Sequence, residues 1–339
     1  VKAVGFFQNH PLSHPEALVD VEVAEPEPGP DDLLVEVRAV SVNPVDTKVR
    51  MGGTVPPGAP RIAGWDAAGV VLSVGARVQG FAPGDEVFYA GAIDRPGSNA
   101  QRQAVDARIV GHKPASLSFA DAAALPLTSI TAWELLFDRL GVAPGGGAGQ
   151  RLLVVGGAGG VGSMLVQIAR RFTALTVIAT ASRPETVEWV TRLGAHHVVD
   201  HRRPLAEELA RIGADGVHLV ASLTQTEQHF PALVAALRPQ GRLALIDDPK
   251  QPLDIRALKG KSLSLHWELM FTRPMYQTDD IAEQGRLLER VAQAIDDRRL
   301  VGTRTRHFGT LGAATLRQAH AWIESGQAIG KGVLDGLPG

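Results

Sequence analysis

The stretch Leu152-Leu153-Val154-Val155-Gly156-Gly157-Ala158-Gly159-Gly160-Val161-Gly162, continued by Ser163 to Arg170, leaves the chain few folds to choose from. Four apolar residues run into glycines, and the glycines run into a helical pattern. This predicts a buried parallel strand, a tight turn, and a helix whose N-terminus faces that turn. Gly157, Gly159 and Gly162 stand at G-x-G-x-x-G spacing. Such a turn needs a residue without Cβ, lets a pyrophosphate approach the backbone, and lets the helix pack closely on the strand. Unpaired N–H groups at the helix start, on Gly159, Gly160, Val161 and Gly162, are then expected to meet phosphate oxygens.

The rhythm on either side of this unit differs. Up to about residue 115 the chain reads as short strands: Leu33 to Val40, Gly69 to Gly75, and a turn at Pro83-Gly84 entering a strand through Phe88. Glycine and proline loops separate them, as expected of a compact barrel-like domain. From about residue 121 helical spacing takes over, with a helix expected from Ile130 to Leu136. Beyond the glycine-rich turn, strands at 176–180, 196–199, 217–221 and 242–246 alternate with helices at 184–193, 204–212 and 227–237. Strand–helix alternation means a parallel sheet with helices on both faces, an α/β doubly wound domain. A late strand at 262–269, helices at 281–295 and 313–324, and strands at 303–308 and 331–334 follow, part of which is expected to return to the first domain.

The 339 residues suffice for about two domains. A net charge of -2 supplies no basic field for nucleic acid or a membrane surface. No run of about 18 apolar residues suggests a membrane span, and Val1-Lys2-Ala3-Val4-Gly5 lacks a signal-peptide core, so a cytoplasmic location is the default expectation. There is no cysteine, which removes disulfides, catalytic thiols and thiolate metal sites.

The second nucleotide strand ends in Ile178-Ala179-Thr180-Ala181 and gives way to Ser182-Arg183. A carboxylate there would hold the ribose hydroxyls of NAD and repel a 2′-phosphate. A hydroxyl and a guanidinium welcome that phosphate, which points to NADP(H). Ser182 can equally cap the helix beginning at Pro184, and the two roles are compatible. Ser222, Leu223 and Thr224, and likewise Ile246 and Asp247, end nucleotide-domain strands, where ligands of parallel sheets gather.

Asn43-Pro44-Val45-Asp46-Thr47, Gly64-Trp65-Asp66-Ala67-Ala68-Gly69-Val70-Val71, Ala124 to Trp133 and the Ala158-Gly159-Gly160-Val161-Gly162 turn together resemble the medium-chain dehydrogenase/reductase superfamily, in its quinone oxidoreductase-like branch. The resemblance implies a GroES-like, mostly β catalytic domain at 1–122, a Rossmann NADP-binding domain at 123–265 and a return to the catalytic domain at 266–339. It also implies a cleft where nicotinamide and substrate meet, and a homodimer joined through a late edge strand, for which Ser262 to Leu269 is the candidate. Zinc-dependent relatives supply a cysteine near position 43, a Gly-His-Glu run near 64–66 and a cysteine shortly before the domain junction. This chain has Asn43, Gly64-Trp65-Asp66 and Leu127-Thr128 there. Asp46 or Asp66 would ligate a metal only with partners that the sequence does not show, so no metal is expected.

Without a Lewis acid, hydride transfer favours acceptors that take it unaided, namely a quinone or an α,β-unsaturated carbonyl (an enone), with the protein aligning nicotinamide C4 and excluding water. By resemblance, Asn43 and Thr128 occupy or adjoin the metal-ligand positions and orient the carboxamide or the substrate carbonyl. Asp46 opens the same helix as Asn43-Pro44, for which an N-cap with proline at N1 is an equal reading. His201 stands where quinone oxidoreductases place a tyrosine near the 2′-phosphate, and Lys331, in Gly330-Lys331-Gly332, resembles a late motif bordering the cofactor. A solvated side chain is the rival reading for both. Trp65, Trp267, Met270 and Phe271 either line a flat apolar pocket or are plain core. No residue stands out as a general acid. A zinc-type alcohol dehydrogenase and an NADPH-binding protein with little turnover are the alternative functions.

Overall fold

The computed structural model describes residues 1–338. The chain forms two units. The first opens with strands β1 (Lys2–Phe6), β2 (Val19–Glu22) and β3 (Asp32–Ser41), helix α1 (Pro44–Gly52), and strands β4 (Arg61–Ile62), β5 (Ala67–Val74), β6 (Glu86–Tyr89), β7 (Arg102–Asp106) and β8 (Val110–His112), then helices α2 (Phe119–Ala123) and α3 (Pro126–Trp133). The second holds β9 (Arg151–Val155), α4 (Gly160–Phe172), β10 (Thr176–Thr180), α5 (Pro184–Leu193), β11 (His197–Val199), α6 (Leu205–Arg211), β12 (Val217–Ser222), α7 (Thr226–Ala236), β13 (Leu237–Leu245) and β14 (Ser264–Trp267). The chain then returns to the first unit with α8 (Thr272–Tyr276), α9 (Glu283–Asp296), β15 (Arg304–Thr310), α10 (Ala313–Glu324) and β16 (Lys331–Asp335).

The crossings fall inside α3, after Ile130, and after Met270, against sequence boundaries at 122/123 and 265/266. Helical spacing begins near residue 121, but α2 packs on β3, β5 and β16 and so stays with the first unit. A change of period marks a change of element, not of unit. The first unit carries a sheet of order β15-β16-β3-β5-β6-β8, with β7 added on β3, and a smaller sheet β2-β1-β4. The tail does return there: β16 pairs antiparallel with β3, Val333 opposite Ser41 and Leu334 opposite Val40.

The second unit is the doubly wound domain expected, a parallel six-stranded sheet of order β11-β10-β9-β12-β13-β14. The order reverses between β9 and β12, the switch point where such sheets bind ligands. The expected helix at 130–136 is corrected. Helical turns begin earlier, at Pro126, and from Glu134 to Arg139 the helix widens to π-helical pairing, with Leu140 N–H donating to Leu135 C=O at 2.8 Å. Among the described residues no helix is long and apolar enough to cross a membrane.

The glycine turn also differs in detail from its spacing. The left-handed residue is Gly156, with φ of 82°, one position before the first glycine of the motif. Gly162 is the close-packing glycine, because a Cβ there would lie 2.3 Å from the Gly156 carbonyl oxygen and 2.6 Å from that of Gly157. At Gly159 the nearest atom to such a Cβ is 3.6 Å away. Gly162→Ala is therefore expected to cost about 1–3 kcal/mol of unfolding free energy in urea titrations, as overpacking against backbone does. Gly159→Ala should cost less than about 1 kcal/mol, since only atoms in ordinary contact surround it. Equal losses in the two variants would contradict this division of roles.

Candidate active site

In the first unit, two carboxyl groups and one ammonium are buried together. Asp66, just before β5, receives three hydrogen bonds: Lys331 Nζ at 2.8 Å and Asn43 Nδ2 at 2.8 Å on Oδ2, and Leu127 N–H at 2.7 Å on Oδ1. Lys331 Nζ donates further to the Val42 carbonyl at 2.8 Å and to Asn43 Oδ1. The β16–β3 pairing sets this meeting, since it brings the start of β16 beside the residues that follow β3. Asn43 N–H donates to Asp46 Oδ2 at 2.6 Å, while Asp46 Oδ1 is buried with no hydrogen-bond partner. Burial, only partly opposed by Lys331, raises the Asp66 carboxyl above the ordinary range. Burial likewise pushes Asp46 up to about 7, against the bond from Asn43 and the charge of Lys331.

These contacts answer what the sequence left open. Asn43 is the N-cap residue of α1, with Pro44 at N1, but its side chain does not cap; it points inward to Asp66 and Lys331. The capping and site readings thus belong to different atoms of one residue. Its amide is fully engaged and 1% exposed. Thr128 sits beside Leu127 on α3 and donates its hydroxyl to the Leu125 carbonyl at 3.1 Å. The rival reading of Lys331 as a solvated side chain is corrected: its ammonium is buried and donates to three oxygens of this cluster. Trp65 takes the core reading, buried with its indole N–H on the Ala92 carbonyl at 3.1 Å and Phe271 edge-on at 6.1 Å. Met270 is also buried, whereas Trp267 is 53% exposed on the edge strand β14.

In the second unit, Gly159 is the N-cap of α4, and the N–H groups of Gly160, Val161 and Gly162 open that helix without intrahelical acceptors. Gly157 packs against β10, where a Cβ would lie 2.9 Å from Ala179 Cβ. Arg183, not Ser182, is the N-cap of α5; its N–H donates to Thr186 Oγ1 at 3.1 Å. The capping alternative for Ser182 is therefore corrected. The loop after β11 lies alongside: Arg202 Nη2 donates to the Ser182 carbonyl at 2.7 Å and is braced by Asp200, whose carboxyl the arginine draws down to about 2. His201 is exposed next to it. Arg202 escaped the sequence reading because its neighbourhood comes from the β10–β11 pairing, Thr180 opposite Val199, rather than from adjacency.

At the carboxyl end of β12, Ser222 is buried and shares a 2.7 Å hydrogen bond with Thr226 Oγ1. Asp247 accepts from Thr226 N–H at 2.8 Å, so its carboxylate holds the start of α7. Leu223, Thr224 and Ile246 flank these groups, Leu223 N–H donating to the Val155 carbonyl at 3.2 Å and Thr224 standing against Gly156. One pair was not foreseen. Glu134, at the start of the π-helical turn, and Glu268, just past β14, are both buried and near enough for the charge of Glu134 to act on Glu268, which also accepts from Arg139 Nε on Oε2 at 2.8 Å. Burial first, then the Glu134 charge, raises the Glu268 carboxyl.

A glycine turn feeding a helix at the switch point of a parallel sheet, joined to a mostly β unit built from both ends of the chain, defines a two-domain dehydrogenase architecture. Residues 29–131 match the alcohol dehydrogenase GroES-like domain, and residues 160–284 match the zinc-binding dehydrogenase family. The zinc-type alcohol dehydrogenase-like protein SAR2277 of Staphylococcus aureus (strain MRSA252) is 38% identical over 337 residues, 99% of this chain and 100% of that one. A crystal structure of a Rhizobium etli CFN 42 protein classed with zinc-dependent alcohol dehydrogenases superposes with a TM-score of 0.95 at 54% identity, covering 99% of this chain and 98% of that chain. The NADPH-dependent alkenal/one oxidoreductase of Arabidopsis thaliana chloroplasts is 37% identical over 200 residues, 56% of this chain and 50% of that one. The chain belongs to the medium-chain dehydrogenase/reductase superfamily of oxidoreductases, among its zinc-type alcohol dehydrogenase-like members.

The residues of the cluster do not fit a zinc ion. Zinc takes thiolate, imidazole or carboxylate donors, three from the protein at a catalytic site. Here Trp65 offers no lone pair, the Asn43 carbonyl oxygen accepts from Lys331, and both Asp66 oxygens already accept hydrogen bonds. Among the described residues, the one gathering of three possible ligands is His10, His14 and Glu16, in the loop after β1.

The titration of Asp46 gives a test. Between about pH 4 and 7 the folded protein keeps a proton that an unfolded aspartate has released, so this group's contribution to stability falls as pH rises through that window and levels off above it. Asp46→Asn keeps an acceptor for the Asn43 N–H and removes the titration. Urea midpoints followed from pH 4 to 8 should show the wild type losing stability relative to the variant, by an amount on the order of 4 kcal/mol at most. Parallel curves would contradict the assignment.

Proposed function

We propose that this protein is an NADPH-dependent reductase that works without zinc, passing hydride from nicotinamide C4 to a quinone or an α,β-unsaturated carbonyl. The observation that carries the reading is the buried Asn43–Asp66–Lys331 cluster, in which the amide of Asn43, near a metal-ligand position of the zinc-dependent relatives, is already bonded to a carboxyl and an ammonium. Without a Lewis acid, a simple alcohol or ketone gains no polarisation. A quinone or enone spreads the incoming charge onto an oxygen that a proton then neutralises.

The coenzyme choice rests on Ser182, Arg183, His201 and Arg202 gathered past β10 and β11. Two guanidinium groups at that place favour a 2′-phosphate through charge-assisted hydrogen bonds. The pyrophosphate is proposed to meet the N–H groups of Gly160, Val161 and Gly162, with Gly159 leaving room for its approach, and the nicotinamide half to run past Ser222 to Thr224 and Ile246 to Asp247, the last two acting through backbone. Asn43, Asp46 and Thr128 are proposed to order the acceptor side, with Lys331 as the positioning residue that holds Asn43 and Asp66. The Arabidopsis relative, which reduces alkenals and enones with NADPH by its name, supports both coenzyme and acceptor class. The full engagement of the Asn43 amide and the Thr128 hydroxyl favours a second reading, a coenzyme-binding protein with little turnover. We also propose a homodimer through the open edge of β14, where Trp267 is exposed.

Fluorescence titration should show NADPH binding at least tenfold more tightly than NADH, with Arg202→Ala and Arg183→Ala each removing much of that preference and leaving NADH binding unchanged. Protein treated with a chelator should still consume NADPH with a quinone or enone panel. Preference for NADH, or activity restored only by zinc, would contradict the proposal; coenzyme binding without turnover across the panel would select the second reading.

A further inference from the structure

A pair of histidines in the loop between β1 and β2 takes no part in the buried cluster or in the proposed coenzyme site. His10 and His14 stack with ring centroids 3.7 Å apart and planes 12° from parallel. Glu16 stands beside them, and one candidate ligand atom from each of the three residues lies within 4.8 Å of the other two. The spacing of the three is set by turns rather than by a helix: His14 N–H donates to the Pro11 carbonyl at 2.9 Å, and Ala17 N–H to the His14 carbonyl at 3.1 Å.

Two arginines fasten this loop from behind. Arg50, on α1 and 1% exposed, donates from Nε to the His10 carbonyl at 3.2 Å, and Glu324 on α10 balances its charge. Arg317, also on α10, donates to the carbonyls of Leu12 at 3.2 Å, His14 at 2.8 Å and Leu18 at 2.9 Å, and to that of Pro15. The backbone that carries both histidines is thus held in place, while the two rings are half-buried and the Glu16 side chain is exposed. Little ordering of the chain is left for a ligand to impose.

We propose that His10, His14 and Glu16 bind one divalent metal ion of the zinc class, outside the Asn43–Asp66–Lys331 cluster, with water completing its coordination. Two imidazoles and a carboxylate are a donor set that suits zinc, nickel and copper, whereas magnesium and calcium prefer sites made of oxygen alone. Bonds of about 2.0–2.2 Å to a tetrahedral ion place its ligand atoms roughly 3.3 Å apart, so the three side chains close by at most about 1.5 Å. Stacked rings aim their lone pairs along parallel lines, and side-chain rotation must splay them to meet one ion. His14 Nδ1 accepts from the Glu16 N–H at 3.2 Å. That bond is given up whichever ring nitrogen ligates, because the second nitrogen of a ligating imidazole carries a proton. Stoichiometric zinc in the purified protein is then compatible with a reaction that does not use it.

The test is a calorimetric titration of the intact, chelator-treated protein with zinc chloride and, separately, with magnesium chloride. The expected result is one zinc ion per chain and no uptake of magnesium, with zinc affinity weakened at least about tenfold in His14→Ala and in Glu16→Gln. Both changes leave the loop carbonyls that Arg50 and Arg317 hold. The thermal midpoint should rise with zinc concentration in the wild type and not in the variants, by mass action. In amide spectra of the wild type, zinc should shift the Glu16 N–H resonance, which reports the lost bond to His14 without any substitution. Absence of zinc binding, unchanged zinc affinity in both variants, or magnesium binding as tight as zinc overturns the inference. So does zinc binding that survives His14→Ala and disappears in Asp66→Asn, which would put the ion in the buried cluster.

Discussion

A buried ammonium lying on a buried carboxylate is the interaction on which the first unit depends. Lys331 opens the last strand, and Asp66 immediately precedes a strand near the middle of the same sheet. Their 2.8 Å contact, with Asn43 bonded to both, ties the end of the chain to its first third. Removing two charges from water is costly, and attraction repays that cost only when the remaining lone pairs and protons are satisfied. Here they are: Lys331 has three acceptors, and Asp66 has donors on both oxygens. Asp46 lies beside this pair, and burial first, with the Asp66 charge a smaller contribution, keeps its proton on until about pH 7.

The second unit uses backbone for what the first does with charge. Gly156 makes the left-handed turn, Gly162 lets α4 settle against it, and Gly159 leaves open space before the helix start. The side chains at the strand ends mainly brace one another: Ser222 to Thr226, Thr226 to Asp247, Arg202 to Asp200 and to the Ser182 carbonyl. A ligand at this edge would therefore meet a preorganised surface, with little side-chain ordering left to be done on binding.

The doubly wound unit was legible because its signals are local. A strand, a glycine turn and a helix follow one another without a break from Arg151 to Phe172, and the 313–324 helix falls where its spacing puts it. What was not legible depends on pairing between distant segments. Lys331 could not be matched to Asp66, nor Arg202 to Ser182, because those meetings are set by sheet register, nor Glu134 to Glu268, because a helical turn there packs beside the end of a strand far along the chain. The π-helical turn after α3 replaced an expected regular helix, since nothing in Glu134 to Arg139 announces the wider pairing. Asn43 shows how a correct local reading can be incomplete: its backbone begins α1 while its side chain serves the buried cluster.

The central claim is that an internal cation, Lys331, holds the Asp66 carboxylate and Asn43 in place at the heart of this unit. Urea unfolding of Lys331→Met, alone and combined with Asp66→Asn, measures it most directly. The single change should cost about 3–5 kcal/mol, as stranding a buried charge does, and the second change should return a large part of that loss. A Lys331→Met protein within about 1 kcal/mol of the wild type, or a double variant whose losses simply add, would contradict the account.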